Sequence, residues 1–327
     1  DLIKEEQIIV SLTKDGYIKR VPLDTFKTQN RGGKGVIGVK SREEDEASDF
    51  FSGTTHDLFL FFTNQGNLLK KKGYEIPLAT RTSKGVHLNN LLNLTESESV
   101  SSTITLKSLD ADGNFVMVTK NGLIKRSEIR DYNTSLRKRG LKAISLMEND
   151  ELAFVMATDG TQDVMLVTAM GMAVRYSENL VRCIGKNGQG SRSMLLKTGD
   201  TIAAVLAIDA DADPSILVIT EFGKGKKTSA SEYRSTAGRA VKGQRTINTL
   251  KREVSGKIVS AVSLSDNDEI LVLTNKGKMM RCNLDSLKNK SKITQANNIV
   301  SLDDGDTVQT MSVVPTSNKE FEEEFTE

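Results

Sequence analysis

Six times along this chain of 327 residues the same phrase returns: a threonine, two residues, a glycine, then a basic residue four places after the glycine. The copies are Thr13 to Gly16 with Arg20, Thr63 to Gly66 with Lys70, and Thr119 to Gly122 with Arg126. They continue with Thr168 to Gly171 and Arg175, Thr220 to Gly223 and Lys227, and Thr274 to Gly277 and Arg281. The glycines stand 50, 56, 49, 52 and 54 residues apart. Such self-similarity constrains the fold before any local motif does. Each repeat is one supersecondary unit that must bury its apolar face against its neighbours.

The phrasing inside a repeat is that of strands. A short apolar run precedes each threonine, for example Leu58 to Phe62, Phe115 to Val118 and Ile216 to Ile219. Runs of four or five β-branched, leucine and aromatic residues read as strands buried on both faces. Acidic residues stand upstream in the last five repeats, at Asp57, Asp112, Asp163, Asp213 and Asp268, as a polar turn into a core strand requires. The phrase glycine then supplies the positive φ of a tight hairpin, and a mixed apolar and basic strand follows. A second glycine recurs 18 to 20 residues later, at Gly35, Gly85, Gly140, Gly190 and Gly243, with Ala296 in the sixth copy. Apolar residues after it predict one more strand. Each repeat is thus predicted to form an antiparallel sheet of about four strands, and six sheets about an axis form a propeller-like disc that limits exposed edges. The absence of tryptophan excludes the WD40 and kelch patterns, and the short continuous runs exclude a helical solenoid.

Charge is segregated along the chain. The net charge is only +2, but residues 317–327 carry five acids and one lysine, which leaves residues 1–316 at +6. The predicted organisation is a repeat domain over 1–316 and an acidic tail over 317–327. Six equivalent cations (Arg20, Lys70, Arg126, Arg175, Lys227 and Arg281) would lie on one ring of a disc, although duplication copies a solvated strand face whether or not it is used. A second band precedes the later glycine: Arg31 and Lys34, Arg81 and Lys84, Arg137, Lys138 and Arg139, Lys186 and Arg192, Arg239, Lys242 and Arg245, then Lys290 and Lys292. Two basic bands on a perimeter would track a phosphate backbone without reading base sequence. Aromatic residues are sparse in these loops, so duplex bending fits better than single-strand stacking.

The sharpest local motif is Gln29-Asn30-Arg31-Gly32-Gly33-Lys34-Gly35, whose glycines let backbone approach closely while Arg31 and Lys34 supply charge. It lacks the spacing of a Walker A loop, as does Gly223 to Thr228. The motif resembles the diagnostic box in the C-terminal domain of gyrase A, with Asn30 in place of the usual first arginine. Asp15 to Arg20, Phe61 to Gly66, Lys72 to Pro77 and Arg81 to Gly85 share that family character, and the six repeats carry the resemblance over essentially the whole chain. The resemblance implies an all-β, six-bladed β-pinwheel that wraps duplex DNA around its rim and so enables negative supercoiling by DNA gyrase. It also implies that Gln29, Arg31, Gly32, Gly33, Lys34 and Gly35 grip the backbone. The box carries one cation fewer than usual, which implies a weaker grip. The implied partners are gyrase B and the rest of gyrase A. ATP and Mg2+ would be bound elsewhere in the holoenzyme, no cofactor here, and the setting would be the bacterial cytoplasm, at the nucleoid.

Catalytic signatures are lacking. His56 and His87 read as surface or strand residues, no Cys-x-x-Cys or His-x-x-x-His pair offers a zinc site, and the five tyrosines lack the context of a DNA-cleaving tyrosine. Cys183 and Cys282 are far apart in sequence, which points to a reducing compartment. No apolar stretch approaches a membrane span. The chain begins at Asp1 without methionine, as a piece of a longer protein would. Two other readings stand beside the gyrase one: the equivalent domain of topoisomerase IV, in which the box is eroded, and a β-propeller scaffold for protein partners.

Overall fold

The computed structural model describes residues 2–13, 15–22, 47–80, 83–135, 140–247, 255–276, 278–291 and 296–314. The box at 29–35 and the acidic tail at 317–327 lie outside the described residues.

Each apolar run forms the central strand of one sheet. Leu58–Thr63, Asn114–Thr119, Gln162–Thr168 and Ser215–Thr220 are buried along nearly their whole length. A strand alternates its side chains between two faces, so burial on both faces requires a neighbour on each side. The second sheet shows the division: Phe59 and Phe61 join one cluster with Ile8, Val10 and Ile18, while Leu60 and Phe62 join another with Phe115, Met117 and Tyr132. In the fifth sheet Ile216 and Val218 pack with Met165 and Val167, and Leu217 and Ile219 pack with Ile270 and Val272. Each fully buried phenylalanine or leucine contributes about 1.5–3 kcal/mol. This double-sided alternation is why the runs are apolar apart from buried Ser11 in the first.

The phrase threonine and glycine close the hairpin after the core strand. In the first copy the Gly16 amide donates to the Thr13 carbonyl at 3.0 Å, and the Tyr17 amide donates to Thr13 Oγ1 at 2.9 Å. The same pair of bonds recurs at Thr63, Thr168 and Thr220. The glycine has φ of 87° at Gly16, 81° at Gly66 and 87° at Gly122, the left-handed end of a three-residue hairpin loop. An alanine in place of the threonine would leave the amide after the glycine without its acceptor.

Six sheets follow one another. From edge to edge the first holds Ala47–Thr54, Gln7–Thr13, Tyr17–Pro22 and Val86–His87, and the second Val100–Leu106, Leu58–Thr63, Asn67–Lys72 and Leu141–Lys142. The third holds Leu152–Thr158, Asn114–Thr119, Leu123–Glu128 and Ser191–Arg192, and the fourth Ile202–Asp209, Gln162–Thr168, Met172–Ser177 and Gln244–Arg245. The fifth holds Ile258–Leu264, Ser215–Thr220, Lys224–Ser229 and Asn297–Asn298. The sixth shows three strands among the described residues: Val308–Val314, Glu269–Thr274 and Met279–Cys282. A short helix, α1 (Leu88–Leu92), makes a single turn after the first sheet's last strand and is capped by His87 Nδ1, which accepts from the Asn89 amide at 3.3 Å.

The fourth strand of the first five sheets corrects the sequence reading. The short strand after the second glycine pairs with the hairpin strand of the preceding repeat: Val86 with Ile18, Leu141 with Leu68, Gln244 with Ala173, Asn297 with Gly225. A repeat therefore supplies three strands to its own sheet and one to its predecessor's. The chain divides into two compact units, one of residues 1–119, 125–157 and 183–190, the other of 120–124, 158–182 and 191–327.

Candidate nucleic-acid interface

The second glycine is where the borrowed strand docks. Gly85 has φ of 83°, and a Cβ there would overlap the Ile18 carbonyl oxygen. Gly243, at φ 80°, would meet the Ala173 carbonyl at 2.5 Å. Only glycine allows both the conformation and the approach. At four places among the described residues the basic loop upstream is seated on the basic residue of the previous repeat's phrase. The Arg20 amide donates to the Pro77 carbonyl at 2.9 Å, and the Ala79 amide donates back to Arg20 at 3.0 Å. Ile184 on Arg126, Thr236 on Arg175 and Lys290 on Lys227 repeat the contact at 2.8–2.9 Å.

The phrase cations consequently do not form a row of free charges. Arg20 is half-buried, and its Nε donates to the Ile76 carbonyl at 2.6 Å. Lys70, Arg126 and Lys227 are half-buried too. Arg175 departs furthest from expectation: it is 7% exposed, with Nε 2.8 Å from Asp163 Oδ2 and Nη1 donating to the Ala230 carbonyl at 2.9 Å. Both ends of this guanidinium serve the interior, so Arg175 is removed from the predicted phosphate contacts. Duplication copied a cation that the fold then used for its own packing. Arg281 lies in the hairpin strand, its backbone paired with Leu271.

Outward charge sits in the loop band instead. Lys84, Lys242, Arg245 and Arg192 are exposed. Lys84 Nζ stands 4.2 Å from the centre of the Tyr17 ring, which fixes the ammonium near the surface without neutralising it. Half-buried Arg239 donates through Nη1 to Ser191 Oγ and to the Arg192 carbonyl, both at 2.7 Å, and so braces the neighbouring cation. Gln29, Arg31, Gly32, Gly33, Lys34, Gly35, Arg81, Arg137, Lys138 and Arg139 lie outside the described residues.

Two sets of residues escaped the sequence reading. The first is a buried lysine one place before the phrase cation in the odd repeats, Lys19, Lys125 and Lys226, each no more than 2% exposed. Burial pulls Lys125 down to about 8, with Asp131 pushing back, and Lys226 also to about 8, with Glu232 opposing. The second set is an acid that braces the hairpin. Asp200 Oδ1 accepts from the Met170 and Thr201 amides at 3.0 and 2.8 Å, and Asp306 Oδ1 from Lys276 and Thr307 at the same distances. Against burial, hydrogen bonds from Thr274 and these amides hold Asp306 below the usual carboxylate range. Glu98 accepts from Thr63 Oγ1 at 2.7 Å in the second repeat. The recurring triplets Gly199-Asp200-Thr201 and Gly305-Asp306-Thr307 were the available signal.

The upstream acids that were predicted are hydrogen-bonded, Asp57 and Asp268 within turns and Asp213 to a more distant amide. Asp57 accepts from the Thr54 amide at 2.9 Å, Asp213 from the Ser231 amide at 2.8 Å and Asp268 from the Ser265 amide at 2.8 Å. Asp163 instead joins Arg175, and Asp112 pairs with Arg130 at 3.0 Å on the surface. His87 lies in a strand and His56 is exposed, its ring 2.7 Å from the Ile3 carbonyl. Among the described residues no group of three metal-binding side chains converges, and no helix is long and apolar enough to cross a membrane.

Six antiparallel sheets in series, the first five completed by a strand from the following repeat, define the β-propeller class of repeat proteins. The chain belongs to the family described as DNA gyrase C-terminal domain, beta-propeller, whose model matches six segments: 7–52, 57–107, 113–159, 162–209, 214–265 and 268–315. It is 36% identical over 315 residues to the gyrase A protein of Staphylococcus epidermidis, and 35% identical over 326 residues to that of Haloquadratum walsbyi. Those matches cover 96% and 98% of this chain but only 35% and 38% of the relatives, so the chain spans little more than a third of their length. Among solved structures, a C-terminal domain of DNA topoisomerase IV superposes with a TM-score of 0.78 at 27% identity, covering 97% of this chain and 95% of that one. A DNA gyrase A C-terminal domain superposes at 0.76, also at 27% identity, covering 95% and 100%.

Proposed function

We propose that this chain binds duplex DNA without sequence preference and wraps it with a fixed hand, serving negative supercoiling by a gyrase. The observation that carries the reading is the loop architecture. Basic loops are bonded to the phrase residue of the preceding repeat at Arg20, Arg126, Arg175 and Lys227, and exposed cations recur at equivalent places: Lys84 and Lys242 directly before the docking glycine, Arg192 and Arg245 two residues after it. Bending a duplex over a few helical turns costs several kcal/mol, which only many distributed phosphate contacts can offset. The box residues Gln29, Arg31, Gly32, Gly33, Lys34 and Gly35, with Arg81, Arg137, Lys138 and Arg139, complete the proposed contact set.

In this reading the chain performs no bond chemistry itself. DNA cleavage, ATP and Mg2+ belong to gyrase B and to the rest of gyrase A, and the enzyme works on the bacterial chromosome in the cytoplasm. The test is ligation of nicked circular DNA with increasing protein, followed by removal of protein and resolution of linking number. A progressive positive shift at modest salt is the expected result. Tight binding without a shift would move the reading to DNA holding of a topoisomerase IV kind, a choice kept open by the 0.78 superposition. Failure to bind even at low salt would leave a protein-binding propeller.

A further inference from the structure

Lys19 and Lys125 point inward, yet each reaches the loop of the next repeat. Lys19 Nζ donates to the carbonyls of Thr80 at 3.0 Å and Ser83 at 2.6 Å. These carbonyls belong to one turn, in which the Ser83 hydroxyl also donates to Thr80 at 3.0 Å, and exposed Lys84 follows directly. Lys125 Nζ donates to the Lys186 carbonyl at 2.7 Å and the Ala143 carbonyl at 2.5 Å, with the Tyr132 hydroxyl at 3.4 Å. Around it Ser127 Oγ donates to Ile184 and Ser145 Oγ to Asn187, both at 2.7 Å, while the Ser145 amide donates to Gly188 at 3.0 Å. Four carbonyls of the loop 184–188 are thus drawn inward, one of them by an ammonium group.

The even repeats carry Leu69, Val174 and Met280 at this position. An apolar side chain therefore satisfies the fold there, and a buried lysine is not needed to close a sheet. Burying an ammonium is unfavourable unless it is well hydrogen-bonded, so its presence in alternate repeats calls for a purpose beyond packing.

We propose that Lys19 and Lys125 are positioning residues of the DNA interface: buried ammonium pins that hold the following repeat's loop in its phosphate-binding form without touching DNA. The proposal rests on the reading of the loops as DNA contacts given above. Bonds from a charged donor to carbonyls are stronger than neutral ones, so a pinned loop meets the duplex already ordered.

The test replaces Lys19 by leucine, the residue the second repeat carries, and pairs it with Lys84→Ala. Amide hydrogen exchange over residues 79–88 reads the pin without DNA. Affinity for a long mixed-sequence duplex, measured against salt, reads the consequence. Lys19→Leu is expected to keep its melting temperature, speed exchange in that segment by about tenfold and weaken binding by about fivefold. Lys84→Ala alone should lower the salt slope by about 0.9, the value of one phosphate. The double variant should bind no more weakly than the worse single one, because an unpinned loop has already lost the contact. Losses that multiply would mean general weakening and would overturn the pin, as would unchanged exchange. Lys125→Leu, read over 183–190, repeats the test in a second loop and must agree. If the parent chain fails to bind duplex at all, the DNA reading falls while the exchange result still decides whether the ammonium orders the loop.

Discussion

Replacing Arg175 by alanine separates the two roles that its place in the phrase conflates. The guanidinium stands 2.8 Å from Asp163 Oδ2, with side-chain exposures of 7% and 10%, and its Nη1 satisfies the Ala230 carbonyl. Truncation strands a buried carboxylate and a backbone acceptor together. Breaking a buried pair by removing one partner costs about 3–5 kcal/mol. For a unit of this size each kcal/mol corresponds to roughly 2–4 °C, so melting of that unit should fall by about 6–20 °C. Removing both charges in Arg175→Met with Asp163→Leu should recover most of that loss, because well-packed apolar pairs often equal a buried ion pair. Duplex affinity at 25 °C, measured for the folded variant, should stay within about twofold, with the salt slope unchanged. Lys227→Ala, at the corresponding half-buried site, is the comparison and should lower the slope by up to about 0.9. A result in which Arg175→Ala melts like the parent and lowers the salt slope would refute the reasoning, since it would make Arg175 a phosphate contact.

Three further outcomes follow from the geometry. Gly243→Ala should destabilise by about 2–4 kcal/mol, combining the left-handed backbone with a Cβ 2.5 Å from Ala173 oxygen, whereas Gly185→Ala, with nothing within 4 Å, should stay within about 0.5 kcal/mol in denaturant melts. Stability should rise between about pH 7 and pH 9, by roughly 2–3 kcal/mol, because Lys125 and Lys226 titrate near 8 in the fold and at 10.5 in the open chain, so the unfolded state binds more protons there. Burial raises the Tyr132 and Tyr176 hydroxyls, so beyond about pH 10 the slope reverses; a melting temperature that falls from pH 7 to pH 9 would contradict the sign. Thr168→Ala should cost about 1 kcal/mol by orphaning the Met172 amide, and hydrogen exchange at that amide is the direct readout.

What the sequence made legible is what depends on neighbours along the chain. The Thr-x-x-Gly phrase encodes a turn whose bonds all fall within four residues, and the apolar runs encode strands without reference to partners. The partner of the predicted short strand was hidden because Val86–His87 is two residues long and pairs with Tyr17 and Ile18, far upstream. Periodicity fixes the phase of a repeat but not which copy receives its last strand. Lys19 was hidden for a different reason: in Tyr17-Ile18-Lys19-Arg20 adjacent cations read as a solvated stretch. Only the pairing of Ile18 with Val86 shows that a loop covers Lys19. Arg175 and Arg20 occupy one sequence position and differ in burial because Asp163 faces the former.

Borrowing the fourth strand from the successor also sets a timetable for synthesis. When the ribosome has made Thr54, the first sheet still has an open flank along Tyr17–Pro22, and it closes only once Val86–His87 has emerged. The same delay recurs at the second to fifth sheets, so the nascent chain folds in arrears by most of one repeat. An open flank is a template for pairing with another chain, and here it exists one sheet at a time, beside the polypeptide that will cover it. Deleting a repeat would not merely shorten the series. It would leave the sheet before it waiting for a strand of different sequence, so whole-repeat gain or loss must preserve a strand that can pair there, as Asn297–Asn298 does after Ala296.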